Sequence, residues 1–132
     1  MIADTNVLVR AWAADDRIQA AQAQAAMDAA LKIHVPLTTF CEFVWVLRQI
    51  YRFSAQDIAG AIRVLIADPR TVIDRDAVAA GLAFLDAGGD FADGAIEFEG
   101  RRLGGKVLAT FDRQAAAIIR GQGRQCLLLG AE

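Results

Sequence analysis

What most limits the folds open to this chain is the way short apolar runs alternate with longer stretches at helical spacing. Met1 to Asp4, Ile33 to Pro36, Thr71 to Asp74, Lys106 to Phe111 and Gln125 to Leu129 read as short strands. Between them lie segments whose apolar residues recur three and four apart. These are an alanine-rich stretch from Ala11 to Ala30, then Thr39 to Arg52, Ser54 to Ala67, two helices separated by Gly88-Gly89, and a short helix after Asp112. Asp76 is a candidate cap for the alanine-rich helix from Ala77 to Ala87. Strand-then-helix alternation predicts an α/β fold, with a mostly parallel sheet covered on both faces by helices. Ligands of such sheets sit beyond the carboxyl ends of the strands. Two of the strands run into an acid there: Met1-Ile2-Ala3 into Asp4, and Val107-Leu108-Ala109-Thr110-Phe111 into Asp112.

A length of 132 residues fits a single domain, 1–132, with a core that needs no disulfide staples. The apolar fraction of 55% and mean hydropathy of +0.32 are high for that size, so apolar surface is expected to remain for a partner chain or for self-association. Ala77 to Leu85, the longest apolar stretch, is about half of what a bilayer span requires, and no signal-peptide pattern opens the chain. A cytoplasmic protein is the expectation. Cys41 and Cys126 lack the paired spacing of a zinc site and read as buried thiols, and His34 reads as a core or strand-end residue. A formal charge of −2 argues against a protein that coats nucleic acid by nonspecific charge, though not against an enzyme that recruits it through bound cations.

The acids need weighing one by one, because each has a use as a helix cap. Asp4 precedes Thr5-Asn6, whose hydroxyl and amide groups suit orienting a carboxylate, but Asp, Thr and Asn all serve as N-caps. Thr39-Phe40-Cys41-Glu42 fits a capping box, with Thr39 at the N-cap and Glu42 three residues on. Asp90 follows two glycines and is the natural N-cap of its helix. Asp93, one turn in, has less capping use and is the better ligand of the two. Asp112 stands between a strand and a helix start, where capping is again the alternative. Convergence would change the balance. Two carboxylates about 4 Å apart in a partly buried site repel by roughly 4 kcal/mol at an effective dielectric near 20, more than the about 1 kcal/mol that a cap contributes. If Asp4, Glu42, Asp93 and Asp112 meet, divalent cations must offset the repulsion, and hard oxygen donors suit Mg²⁺ or Mn²⁺ better than zinc.

Four short segments in order, Ile2-Ala3-Asp4-Thr5-Asn6, Thr39 to Leu47, Asp90-Phe91-Ala92-Asp93-Gly94-Ala95-Ile96 and Leu108 to Arg113, make the chain resemble a PIN-domain ribonuclease of the VapC toxin type over essentially its whole length. The resemblance implies a three-layer α/β/α sandwich, a Mg²⁺- or Mn²⁺-dependent endoribonuclease acting on RNA, a cognate antitoxin bound in an apolar groove, and a homodimer. It assigns Asp4, Glu42, Asp93 and Asp112 as catalytic metal ligands, with Asn6, Thr110 and the neighbouring Asp90 in support through hydrogen bonds. Gly94 departs from the pattern, since glycine costs a helix about 1 kcal/mol against alanine, and close helix packing would account for it. With lysine confined to Lys32 and Lys106, the candidates for meeting phosphate are Arg10, Arg101, Arg102 and Arg113. Trp45, Phe43, Leu47 and Tyr51 at helical spacing, with Trp12, divide between core and groove. A haloacid-dehalogenase-like phosphatase would need a second aspartate where Asn6 stands, and a phospho-accepting receiver would need a lysine at a late strand end, whereas Lys106 starts its strand. A PIN-like binding module without catalysis is the remaining alternative.

Overall fold

The computed structural model describes residues 1–130, and these fall into two compact units, Met1–Arg75 and residue 76 onward. The N-terminal unit runs α1 (Thr5–Ala13), α2 (Arg17–Ala29), β1 (Ile33–His34), α3 (Leu37–Gln49), α4 (Ala55–Ala67) and β2 (Thr71–Val72). The C-terminal unit holds α5 (Arg75–Asp86, starting at the boundary), α6 (Phe91–Arg102), β3 (Leu108–Thr110), α7 (Arg113–Gly121) and β4 (Cys126–Leu128). The alternation of strand and helix is therefore as the hydrophobic pattern predicts, and both strand pairs are parallel. In place of one long sheet there are two two-stranded sheets, β1-β2 and β3-β4. The expected first strand contracts to one parallel bridge between Ile2 and His34, beside which Ala3 N–H donates to the His34 carbonyl at 2.8 Å.

In the N-terminal unit α1 packs on α2 and α3, and α3 on α4, burying Leu8, Phe40, Phe43, Leu47, Ile58 and Ile62. Ser54 caps α4 by accepting from Asp57 N–H. Arg70 ties the end of α2 to the turn after α4: its guanidinium donates to the Met27 and Ala30 carbonyls at 2.8 and 3.2 Å while pairing with Asp68. Helix α3 begins three residues earlier than the capping-box reading expects. Pro36, whose fixed φ and missing N–H suit a helix entrance, is its N-cap, so Thr39 already lies inside the first turn and Glu42 in the second. Thr39 instead donates its hydroxyl to the Ala3 carbonyl at 3.2 Å.

In the C-terminal unit α7 packs against both strands, and Phe84, Ala115, Ile118 and Ile119 form a cluster that Leu108 and Cys126 close from the sheet. Gly88, at φ 88°, ends α5 in the left-handed conformation that glycine adopts without strain. The packing expected at Gly94 is present. A Cβ there would come within 2.5 Å of the Ala80 carbonyl oxygen and 2.9 Å of the Phe84 ring, and one at Gly81 would meet the Phe91 ring at 2.5 Å. Neither cysteine is in a disulfide, both are half-buried rather than buried, and Cys126 donates its thiol to the Leu108 carbonyl at 3.3 Å. His34 lies exposed at the end of β1. Among the described residues no helix is long and apolar enough to cross a membrane.

Candidate active site

In the N-terminal unit the local architecture frees two carboxylates from helix capping. Asp4 occupies the N-cap position of α1, with extended backbone at φ −74° and ψ 155°, and its own carbonyl accepts the first helical bonds. Its side chain makes no capping bond and is exposed to solvent. Glu42, in the second turn of α3, accepts a 2.6 Å hydrogen bond at Oε2 from the Thr5 hydroxyl. Thr5 is itself buried, so its hydroxyl is a fixed donor that orients Glu42 and leaves Oε1 outside that bond. The hydroxyl expected to serve Asp4 serves Glu42 instead, a pairing across 37 residues that nothing local in the sequence signals. Asn6 lies exposed on α1.

In the C-terminal unit the acids do backbone work. Asp90 caps α6 by accepting from Ala92 N–H at 3.2 Å. Asp112 caps α7 through Oδ1, which accepts from Gln114 N–H at 2.8 Å and Ala115 N–H at 3.1 Å. Thr110 in turn accepts from the Asp112 backbone N–H at 3.0 Å, which fixes the strand-to-helix corner that carries the acid. Asp93 lies in the first turn of α6, half-buried. Burial pushes its carboxyl above the usual aspartate range of about 3.8, and the negative charges of Asp90 and Asp112 push it the same way. Asp90 and Asp112 are thus both close enough to act on the Asp93 carboxyl. Among the described residues, however, no three His, Cys, Asp or Glu side chains are drawn together as a group that would hold a metal ion.

The arginines expected to meet phosphate are for the most part engaged. Arg10 donates to Asp15 at 3.1 Å and to the Tyr51 hydroxyl at 3.3 Å, and Tyr51 closes the triangle onto Asp15 at 2.8 Å. Arg101 pairs with Glu97 at 3.0 Å, and Arg102 pairs with Glu99 at 3.2 Å over the Phe98 ring. Arg113 opens α7, exposed, directly after Asp112. Glu97, which no motif in the sequence singles out, is 4% exposed and bound by Arg101 and, at 2.9 and 3.0 Å, by Arg124. Burial pushes its carboxyl up, but the two arginines outweigh burial and hold it below the usual glutamate value.

Residues 1–120 match the family model for the PIN domain, a span that includes Asp4, Glu42, Asp93 and Asp112, and the chain belongs to that family. PIN domains are generally metal-dependent nucleases. No curated protein matches the chain.

Proposed function

We propose that the protein is a divalent-metal-dependent endoribonuclease, the toxin of a toxin–antitoxin pair, with Asp4, Glu42, Asp93 and Asp112 as its catalytic carboxylates. The observation that carries this reading is Asp93. Its carboxyl is half-buried, without a capping duty, and under repulsion from Asp90 and Asp112 that a bound cation would relieve. The donors fit a hard cation, being carboxylate oxygens throughout, with Asp4 uncapped and Glu42 held from one side only. Mg²⁺ or Mn²⁺, when bound, would activate a water and stabilise the leaving oxygen of a phosphodiester. Thr5 orients the Glu42 carboxylate, the α7 amides orient that of Asp112, and Thr110 holds the Asp112 backbone.

Purified protein is expected to cleave RNA with Mg²⁺ or Mn²⁺ and not after chelation, and cleavage that survives both chelation and Asp93→Asn would sink the assignment. RNA binding without cleavage in any metal would favour the binding-module alternative.

For the antitoxin we propose the apolar groove of the N-terminal unit, a cavity of ≈ 330 Å³ lined by Leu8, Trp12, Met27, Phe43, Val64 and Leu65 among others. It suits the apolar face of an amphipathic helix. Trp12→Asp should abolish neutralisation by the co-encoded small protein and leave RNA cleavage intact. For the homodimer we propose the exposed end of α3, where Trp45 and Ile50 are 59% and 61% exposed, so that Trp45→Glu lowers the sedimentation coefficient. A cytoplasmic location is part of the same proposal.

A further inference from the structure

Two hydroxyl bonds that run in opposite directions join helix α3 to the segment that carries Asp4. Thr39 donates to the Ala3 carbonyl at 3.2 Å, and Thr5 donates to Glu42 Oε2 at 2.6 Å. Thr39 and Glu42 lie three apart on α3 and so share one side of the helix. Ala3 and Thr5 flank Asp4, each with its Cα about 3.8 Å from that of Asp4. The first bond therefore ends on the peptide that enters Asp4, and the second begins on the residue that follows it. Every group in the pair of bonds belongs to the N-terminal unit.

The backbone on the entering side is held twice. Ala3 N–H donates to the His34 carbonyl at 2.8 Å, so β1 grips one edge of the residue while Thr39 grips the other from α3. On the far side the Asp4 carbonyl accepts from Val7 and Leu8 N–H at 3.1 and 3.4 Å. The direction in which the Asp4 side chain leaves the main chain then follows from the plane of the Ala3–Asp4 peptide. A threonine inside a helix often turns its hydroxyl back on the carbonyl one turn earlier. Thr39 commits its single proton to Ala3 instead, across 36 residues, in a bond that supports neither the cap nor the interior of α3.

From this arrangement we infer that Thr39 is a positioning residue for Asp4: its hydroxyl fixes the peptide plane from which the Asp4 carboxylate is aimed at a divalent cation, as the Thr5 hydroxyl aims Glu42. The inference rests on the nuclease reading above. Asp4 makes no capping bond, so no helix amide orients its carboxylate and the aim depends on the main chain beneath it. Partners that orient a metal ligand from outside are usually worth about 10–100-fold in metal affinity. At 3.2 Å the Thr39 bond is long for a hydroxyl donor, which places its effect at the lower end of that range.

The test is binding of Mn²⁺ alone to the full chain, without RNA, read by electron paramagnetic resonance of the free ion. Thr39→Val, which keeps the shape and removes the proton, should bind Mn²⁺ about tenfold more weakly than wild type, and Thr39→Ser, which keeps the proton, should stay within about threefold. Should Thr39→Val fail to fold, Thr39→Ala takes its place in the comparison with Thr39→Ser. A merely structural role is separated by repeating the substitution in Asp4→Asn protein. Because Thr39 acts through Asp4, Thr39→Val should there change Mn²⁺ affinity less than about twofold. Mn²⁺ affinity of Thr39→Val within about twofold of wild type overturns the inference, as does an equal loss in Thr39→Ser. A loss that persists undiminished in Asp4→Asn protein also overturns it, since the effect would then bypass Asp4. Wild-type protein that binds Mn²⁺ and cleaves RNA while Thr39→Val matches it in both sinks this inference alone. Wild-type protein that does neither sinks the nuclease reading with it.

Discussion

The two units hold their acids by opposite means. In Met1–Arg75 the carboxylates are withheld from the backbone: Asp4 sits at an N-cap without capping, and Glu42 is posed by the Thr5 hydroxyl. From residue 76 onward, Asp90 and Asp112 are committed to α6 and α7 amides, and Asp93 carries the repulsion that follows. A carboxylate that caps a helix is oriented by a rigid partner and stabilised by the positive end of the helix dipole, yet it keeps a second oxygen for another ligand. One that does not cap depends on a neighbouring side chain for its aim. Capping and the catalytic role proposed for these acids would thus be alternatives at Asp4 and compatible at Asp112.

That contrast breaks most readily under alanine. Asp4→Ala and Asp112→Ala should each lower metal-dependent RNA cleavage on the order of 10²–10³-fold, the usual size for removing one charged group that stabilises a transition state. Only Asp112→Ala should also lose about 1 kcal/mol of stability in urea, because only Asp112 makes capping bonds. Equal stability losses in the two would mean that Asp4 caps in solution. Next in size is Thr5→Val, expected to reduce cleavage or metal affinity about 10–100-fold by freeing Glu42, with Thr5→Ser close to wild type.

A third substitution, Gly94→Ala, sets local preference against packing. Alanine favours the helix by about 1 kcal/mol, but its methyl would press on the Ala80 carbonyl, and overpacking of this kind costs about 1–3 kcal/mol. A lower denaturation midpoint is the expected sign, and a higher one would refute the close contact between α5 and α6.

The smallest effect is a pH trend with two opposed parts. Glu97, held below the 4.5 of an ordinary glutamate, stabilises the fold above that pH, and the contribution is lost as pH falls through its lower folded value. Asp93, raised above 3.8, costs stability once ionised, and that cost disappears as pH falls through its higher folded value. Melting temperatures measured from pH 7 to pH 3 should therefore fall more steeply for wild type than for Glu97→Gln. Asp93→Asn should melt above wild type at neutral pH, and a lower melting temperature would show that its charge is compensated in the folded chain.

Much of this was legible in the residues themselves. Ser54 and Asp90 announce their helices because a cap acts on amides two or three residues away, and Gly94 signalled close packing because glycine in a helix needs a reason. The β-then-α order followed from periodicity, and the family from four spaced motifs. Strand length did not: the isolated bridge at Ile2 shows how few ladder bonds a plausible apolar run can make. The capping box at Thr39 and Glu42 misled because Pro36 starts the helix earlier, and a proline's effect on a helix start outweighs a matching side-chain spacing. Contacts such as Thr5 with Glu42, or Arg10 with Tyr51, lie across 37 and 41 residues and exist only once helices pack.

The seat of α6 on α5 has a mechanical consequence. Where a glycine rests against a carbonyl oxygen, as Gly94 does against Ala80, no side chain stands between the two backbones to change rotamer and absorb a displacement. The joint is keyed, like a shaft in its slot. Asp93, one residue before the key, has its backbone set over α5 by that close contact, so a shift of its Cα requires a shift of the helix.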